Sequence, residues 1–178
     1  MTDAELVAQA RSGQDAAFAA LMGRYHAGCL RFAHHLLGDR LDAEDVVQET
    51  FVRAFRNLGR YEERDTFRAW LYRILVNRCR SAGRQLRIAR ARIVADDGAG
   101  ERAAVPGESA MLDVHRRLDR ALAGLDARHR EAFLLKVGEE LEYEEIARLT
   151  GVTIPALKMR VKRARDHVRA RWEDSGHA

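Results

Sequence analysis

The 178-residue chain carries 31 basic and 27 acidic side chains, a formal net charge of +4, and only 2 prolines. Hydrophobic residues make up 47%, too many for a disordered chain, and the length suits one ordinary domain or two small ones. Charged residues at 33% against aromatics at 7% favour amphipathic helices and exclude a long β-protein.

In chain order, Leu6, Val7 and Ala10, then Phe18, Leu21, Met22, Tyr25, Cys29, Phe32, Ala33 and Leu36 recur at spacings of three and four, which predicts two helices separated at Gly13. Gly38-Asp39 ends the second. Asp42, with Asp45 in capping-box position, reads as the N-cap of a third helix. Its apolar stripe is Val46, Val47, Phe51, Ala54, Phe55 and Leu58, closed by Gly59. A loop from Arg60 to Asp65 leads to a fourth helix, capped by Asp65 or Thr66 and running past Cys79.

Residues 93–112 hold one basic and four acidic groups, clustered glycines and Pro106, without helical periodicity. They read as a flexible linker between residues 1–92 and 113–178. The second unit opens near Leu112 with a helix bearing Val114, Leu118, Ala121 and Leu125, then one bearing Ala132, Phe133, Leu135 and Val137. Tyr143 to Thr150, the turn Gly151-Val152-Thr153 and a long final helix follow. The expected fold is all-α: two small helical domains, the second containing a helix-turn-helix.

That motif has physical requirements the residues meet. Ala147 permits close helix crossing, Gly151 permits a positive φ at the turn, and Pro155 in a first turn removes no intrahelical hydrogen bond. Leu157, Val161, Ala164 and Val168 form a buried stripe on the last helix. Met159, Lys162 and Arg163 point the other way, flanked by Lys158, Arg160 and Arg165. Such a face suits duplex DNA, with cations on phosphates and protruding side chains on base edges. A solvated basic face is the alternative.

On the fourth helix, Trp70, Arg73, Asn77, Ser81 and Arg84 align on one side, and residues 78–92 add six arginines and no acid. A ring to stack on, an amide for a base edge and arginines for phosphates are what single-strand binding requires. A packed tryptophan and a solvated asparagine fit the pattern equally well. The third helix turns Asp45, Gln48, Glu49 and Val52 outward, an acidic face that repels DNA and is either plain solvent surface or a protein-docking face.

Catalysis finds little support. The adjacent His34 and His35 diverge by about 100° on a helix and poorly suit one metal. Phosphate loops and HExxH or GxSxG patterns are absent from the sequence. Cys29 and Cys79 make neither a disulfide framework nor a zinc cluster. The start, Met1 to Glu5, lacks a signal-peptide profile, and no apolar stretch approaches the length of a membrane span. The expectation is a cytoplasmic, non-enzymatic protein without cofactor, metal site or direct membrane insertion.

Two stretches carry a family resemblance. Asp42-Ala43-Glu44-Asp45-Val46-Val47-Gln48-Glu49-Thr50-Phe51 with Trp70-Leu71-Tyr72-Arg73-Ile74-Leu75-Val76-Asn77 closely resembles the promoter-melting domain of bacterial sigma factors. Tyr143 to Ala147 with Gly151-Val152 and Leu157 to Arg160 resembles their helix-turn-helix domain. The chain looks like an extracytoplasmic-function (group IV) sigma factor.

The resemblance implies partners: core RNA polymerase through its β′ and β subunits, promoter DNA, and an anti-sigma factor. It implies polymerase contacts at Asp45, Val46, Gln48, Glu49, Val52 and Arg56, and −10 contacts at Tyr61, Arg64, Asp65, Phe67, Trp70, Arg73 and Asn77. The −35 contacts would be Thr153, Lys158, Met159, Arg160, Lys162, Arg163 and Arg165. Met159 stands where serine is common in the family, and the loop Glu62-Glu63-Arg64-Asp65 is unusually acidic. Both features leave the preferred promoter sequence open. A stand-alone helix-turn-helix regulator and a helical adaptor without DNA function are the rival readings.

Overall fold

A computed structural model describes residues 1–62, 66–94 and 117–174. Arg64, Asp65, residues 95–112 of the expected linker and the start of the second unit lie outside these described residues, while residues 93 and 94, expected in the linker, continue a helix. Every regular element among the described residues is helical. The first helix, α1 (Asp3–Arg11), starts with a capping box in which the Glu5 carboxylate accepts from Thr2 N–H and the Thr2 hydroxyl accepts from Glu5 N–H. This satisfies two of the donors that every helix start leaves open.

The long α2 (Asp15–Leu37) ends at Gly38, whose φ of 78° lets its N–H return to His34 O. The next helix, α3 (Arg40–Asn57), corrects the expected cap. Asp39, not Asp42, is the N-cap, and its carboxylate accepts from the N–H groups of Leu41 and Asp42. The chain turns so sharply after Gly38 that the first available aspartate takes the position. A short 3-10 turn, Leu58–Arg60, carries the chain past Gly59 before α4 (Phe67–Val94).

Helices α1 to α4 close around Leu21, Cys29, Phe32, Ala33, Val47, Leu71 and Leu75, all essentially inaccessible. Phe32 meets Tyr72 edge-on at 5.6 Å. Phe55 departs from the expected stripe: it is 50% exposed, with its ring edge against Phe18 at 5.0 Å.

In the second unit, residues 117–122 form α5, followed by α6 (Ala127–Phe133) and a five-residue π turn, Leu134–Gly138. Leu134 and Leu135 are buried, but Val137 is 42% exposed. The wider π turn rotates it off the stripe that a regular helix would have kept inward. Then come α7 (Tyr143–Thr150) and α8 (Ile154–Asp174). Gly151, at φ 72°, closes α7 by donating to Ala147 O at 2.9 Å. Leu157, Val161 and Ala164 are buried against α6 and α7. The two units are packed on one another, α4 against α7 and α2 against α6, with one continuous set of buried side chains.

Candidate nucleic-acid and protein interfaces

Three surfaces collect the residues singled out from the sequence. The first lies where the end of α3 meets the front of α4, in an open cavity of about 340 Å³. From α4 come Trp70, Arg73, Asn77 and Arg78, with Ile74 between them; from α3 and its 3-10 turn come Arg53, Asn57 and Arg60. The α3 residues were not singled out from the sequence. Their spacing of four and three, which puts them on one helix face, was the available signal.

Arginines dominate the lining, and among the described residues no carboxylate belongs to it, so the cavity favours an anion. Asn77 and Arg73 are exposed, and Trp70 is half-buried. The indole rests on Tyr61 (5.3 Å) and Phe67 (5.6 Å), which fixes it as a platform. Tyr61 and Phe67 themselves are 6% and 2% exposed. Their expected role in direct DNA contact is corrected here: they belong to the aromatic packing, with Tyr25 5.7 Å from Phe67, and support Trp70 from behind.

The second surface is the outer face of α8. Thr153, Lys158, Met159, Lys162, Arg163 and Arg165 are exposed, Met159 at 52%. An apolar side chain at the centre of a cationic helix face has the chemistry to meet a base edge, with flanking cations for phosphates. Arg160 departs from this face. It is half-buried and lines a cleft between the two units, near Arg80, Arg84 and Arg87 of α4.

The third surface is the outer face of α3. Asp45, Gln48, Glu49, Val52 and Arg56 are exposed. Val46 is 5% exposed and is corrected from a surface contact to a core residue, because it shares the buried stripe with Ala43, Val47 and Thr50. Glu49 accepts from the Arg78 guanidinium of α4, which ties this face to the cavity. Leu41 (72%), Val52 (43%) and Phe55 (50%) add exposed apolar area. A mixture of apolar and acidic side chains on one helix fits a protein-docking face better than a solvated one.

Comparison with known proteins places these surfaces in context. The Sigma-70 region 2 family matches residues 21–88, and the Sigma-70 region 4 family matches residues 115–168. The RNA polymerase sigma factor CarQ of Myxococcus xanthus is 33% identical over 159 residues, covering 89% of this chain and 91% of CarQ. The chain belongs to the extracytoplasmic-function sigma factors.

Two solved structures resemble this sigma factor in fold. CnrH in complex with the cytosolic domain of CnrY has a TM-score of 0.72 at 29% identity, covering 94% of this chain and 95% of that one. The sigma factor RpoE in complex with the anti-sigma factor NepR from Bartonella quintana has a TM-score of 0.68 at 31% identity, covering 86% and 97%. The cavity and the α3 face fall within the region 2 match, and the α8 face within region 4.

No group of three or more metal-ligating side chains occurs among the described residues of this sigma factor. No helix among them is long and apolar enough to cross a membrane. Cys29 and Cys79 are buried free thiols, each pushed up to about 12, first by burial. They are therefore protonated and poorly reactive.

Proposed function

We propose that this sigma factor directs core RNA polymerase to promoters by dividing the work among its three surfaces. The outer face of α3, through Asp45, Gln48, Glu49, Val52 and Arg56 and with Phe55 added, docks on polymerase. The α3–α4 cavity receives an unstacked base of the melted −10 strand. Trp70 offers the stacking surface, Asn77 the amide for a base edge, and Arg73 with Arg53 and Arg60 the phosphate contacts. The α8 face, through Lys158, Met159, Lys162, Arg163 and Arg165 with Thr153 at its start, reads the −35 duplex.

The observation that carries this reading is the pairing of a duplex-type basic helix with an arginine-ringed cavity holding an aromatic and an amide. Extruding a base costs a few kcal/mol, and stacking with pocket contacts returns about 1–3 kcal/mol per base. Only a favourable sequence offsets the cost, so melting becomes sequence-selective. The protein has no catalytic role in this account; polymerase supplies the chemistry. It acts in the cytoplasm, and an anti-sigma factor, such as the one bound to the Bartonella quintana relative, restrains it.

The test is initiation by core polymerase on a promoter template. Asn77→Ala should reduce initiation while polymerase association persists, and equal loss of both would remove the −10 role from the cavity.

A further inference from the structure

Where the two units meet, acids from the C-terminal unit face bases and a hydroxyl of the N-terminal unit. Glu139 reaches Arg68 and Tyr72, Glu131 chelates Arg80 at 2.8 and 2.6 Å, and Asp119 lies between His34 and His35. The Glu139 site is the most completely built. Its residue is only 9% exposed, the Tyr72 hydroxyl donates to Oε2 at 2.6 Å, and Arg68 Nη2 donates to Oε2 at 3.3 Å and also to the Glu139 carbonyl.

Three further features serve that one carboxylate. Gly28 leaves it room: a Cβ there would sit 3.0 Å from the Tyr72 hydroxyl and 3.7 Å from Glu139 Oε2. The π turn Leu134–Gly138 delivers Glu139, which donates its N–H back to Leu134 O at 2.9 Å. Glu140 follows at φ 52°, the positive-φ residue other than glycine among those described. π turns and strained residues together mark places where a chain is held in shape for a purpose. The Tyr72 phenol is raised by burial and by nearby negative charge, so it remains a donor to the carboxylate.

We infer that Arg68, the Tyr72 hydroxyl and the space over Gly28 form a carboxylate-binding site on the N-terminal unit, and that Glu139 occupies it as a latch holding the two units together in the free protein. The Thr66 hydroxyl, just before α4, also bonds Glu145 of α7 at 3.2 Å, while Arg68, two residues from Trp70, points to a different side of α4 from the cavity. The same closed arrangement turns Arg160 of α8 into the cleft. Acidic side chains of the C-terminal unit thus occupy basic and hydroxyl groups of the N-terminal unit, and separating the units frees them.

The polar pairs act beside the apolar contacts that the two units share, and each polar group regains water when released. The inference concerns the free protein and stands or falls independently of the promoter roles proposed above.

The test is small-angle X-ray scattering of the full chain, with helix content followed by circular dichroism. A compact chain of this length should show a radius of gyration of about 16 Å, and the wild type should fall near it. Glu139→Gln should raise the radius by roughly a fifth while helix content stays unchanged, because the weakened latch releases one unit from the other. Gly28→Ala crowds the receptor without touching a charge and favours the helix it sits in; it should expand the protein in the same way. If Glu139→Gln loses helix content, Gly28→Ala decides. An extended wild type, or a helical Gly28→Ala variant as compact as wild type, would overturn the latch.

Discussion

The α8 face and the α3–α4 cavity present the same ingredients, arginine with one apolar or aromatic centre, in opposite geometries. On α8 the side chains project from one convex helix, with Met159 exposed among them, a shape suited to a groove. In the cavity they converge from two helices on a concave space backed by Tyr61 and Phe67, a shape that receives a base. Under the roles proposed for these surfaces, composition alone does not separate duplex from single-strand recognition; the curvature of the scaffold does.

The strongest way to break this comparison is at Asn77. Asn77→Ala should lower initiation on the order of tenfold or more, in line with 1–3 kcal/mol per recognised base, with polymerase binding unchanged in a pull-down or fluorescence titration. Next, Val52→Asp on the outer face of α3 should weaken polymerase association several-fold without altering thermal stability. Val52 is exposed and makes no core contact that the change would disrupt. A variant that bound polymerase normally would return that face to solvent.

A smaller effect belongs to Arg163. Arg163→Ala should reduce binding to −35 duplex and lower the salt-dependence slope by about 1 if it holds a phosphate. An unchanged slope with altered sequence preference would assign it to a base edge instead. Arg60→Ala sharpens the concave side of the comparison, because it removes a cavity wall residue supplied by the 3-10 turn rather than by α4. A few-fold loss confined to melted templates is expected, read by comparing a pre-opened template with a duplex one.

The smallest effect is electrostatic and lies between the units. Burial opposes charge on Asp119, but the His34 and His35 imidazoles beside it, at 3.6 and 2.6 Å, hold its carboxyl well below the usual range. His34 is raised above 6.5, chiefly by the Asp119 carboxylate beside it, against burial and the nearby Arg40. Arg130 also faces Asp119. A raised histidine contributes stability that is present below 6.5 and lost as pH rises through its folded value; a depressed aspartate contributes above its unfolded value and loses it at strongly acid pH. The His34–Asp119 pair is therefore strongest at mildly acidic pH and loosens as pH rises through the raised His34 value. Nuclear magnetic resonance titration of the His34 imidazole should give a midpoint above 6.5, returning toward 6.5 in Asp119→Asn.

The convex site was more legible in the sequence than the concave one, for a physical reason. Periodicity reports which residues share one helix, so Lys158, Met159, Lys162 and Arg163 could be grouped directly. It says nothing about which helix packs beside which, so Arg53, Asn57 and Arg60 stayed invisible as partners of Trp70 and Asn77. Arg160 shows the same limit: its helical position put it beside the DNA face, and the neighbouring α4 claimed it for the cleft. His34 and His35 diverge along α2 as their spacing requires, yet both reach Asp119 because α5 brings one carboxylate between them. The cap at Asp39 was missed because a glycine at φ 78° reverses the chain one turn earlier than the apolar pattern implied.

The most direct test of the central claim is transcription of fragmented genomic DNA by core polymerase with and without this protein, mapping the RNA 5′ ends. The account predicts new start sites that share two sequence elements at fixed spacing, and these sites should be selectively lost with Asn77→Ala. An active polymerase that gains no new start sites from the folded protein would contradict it.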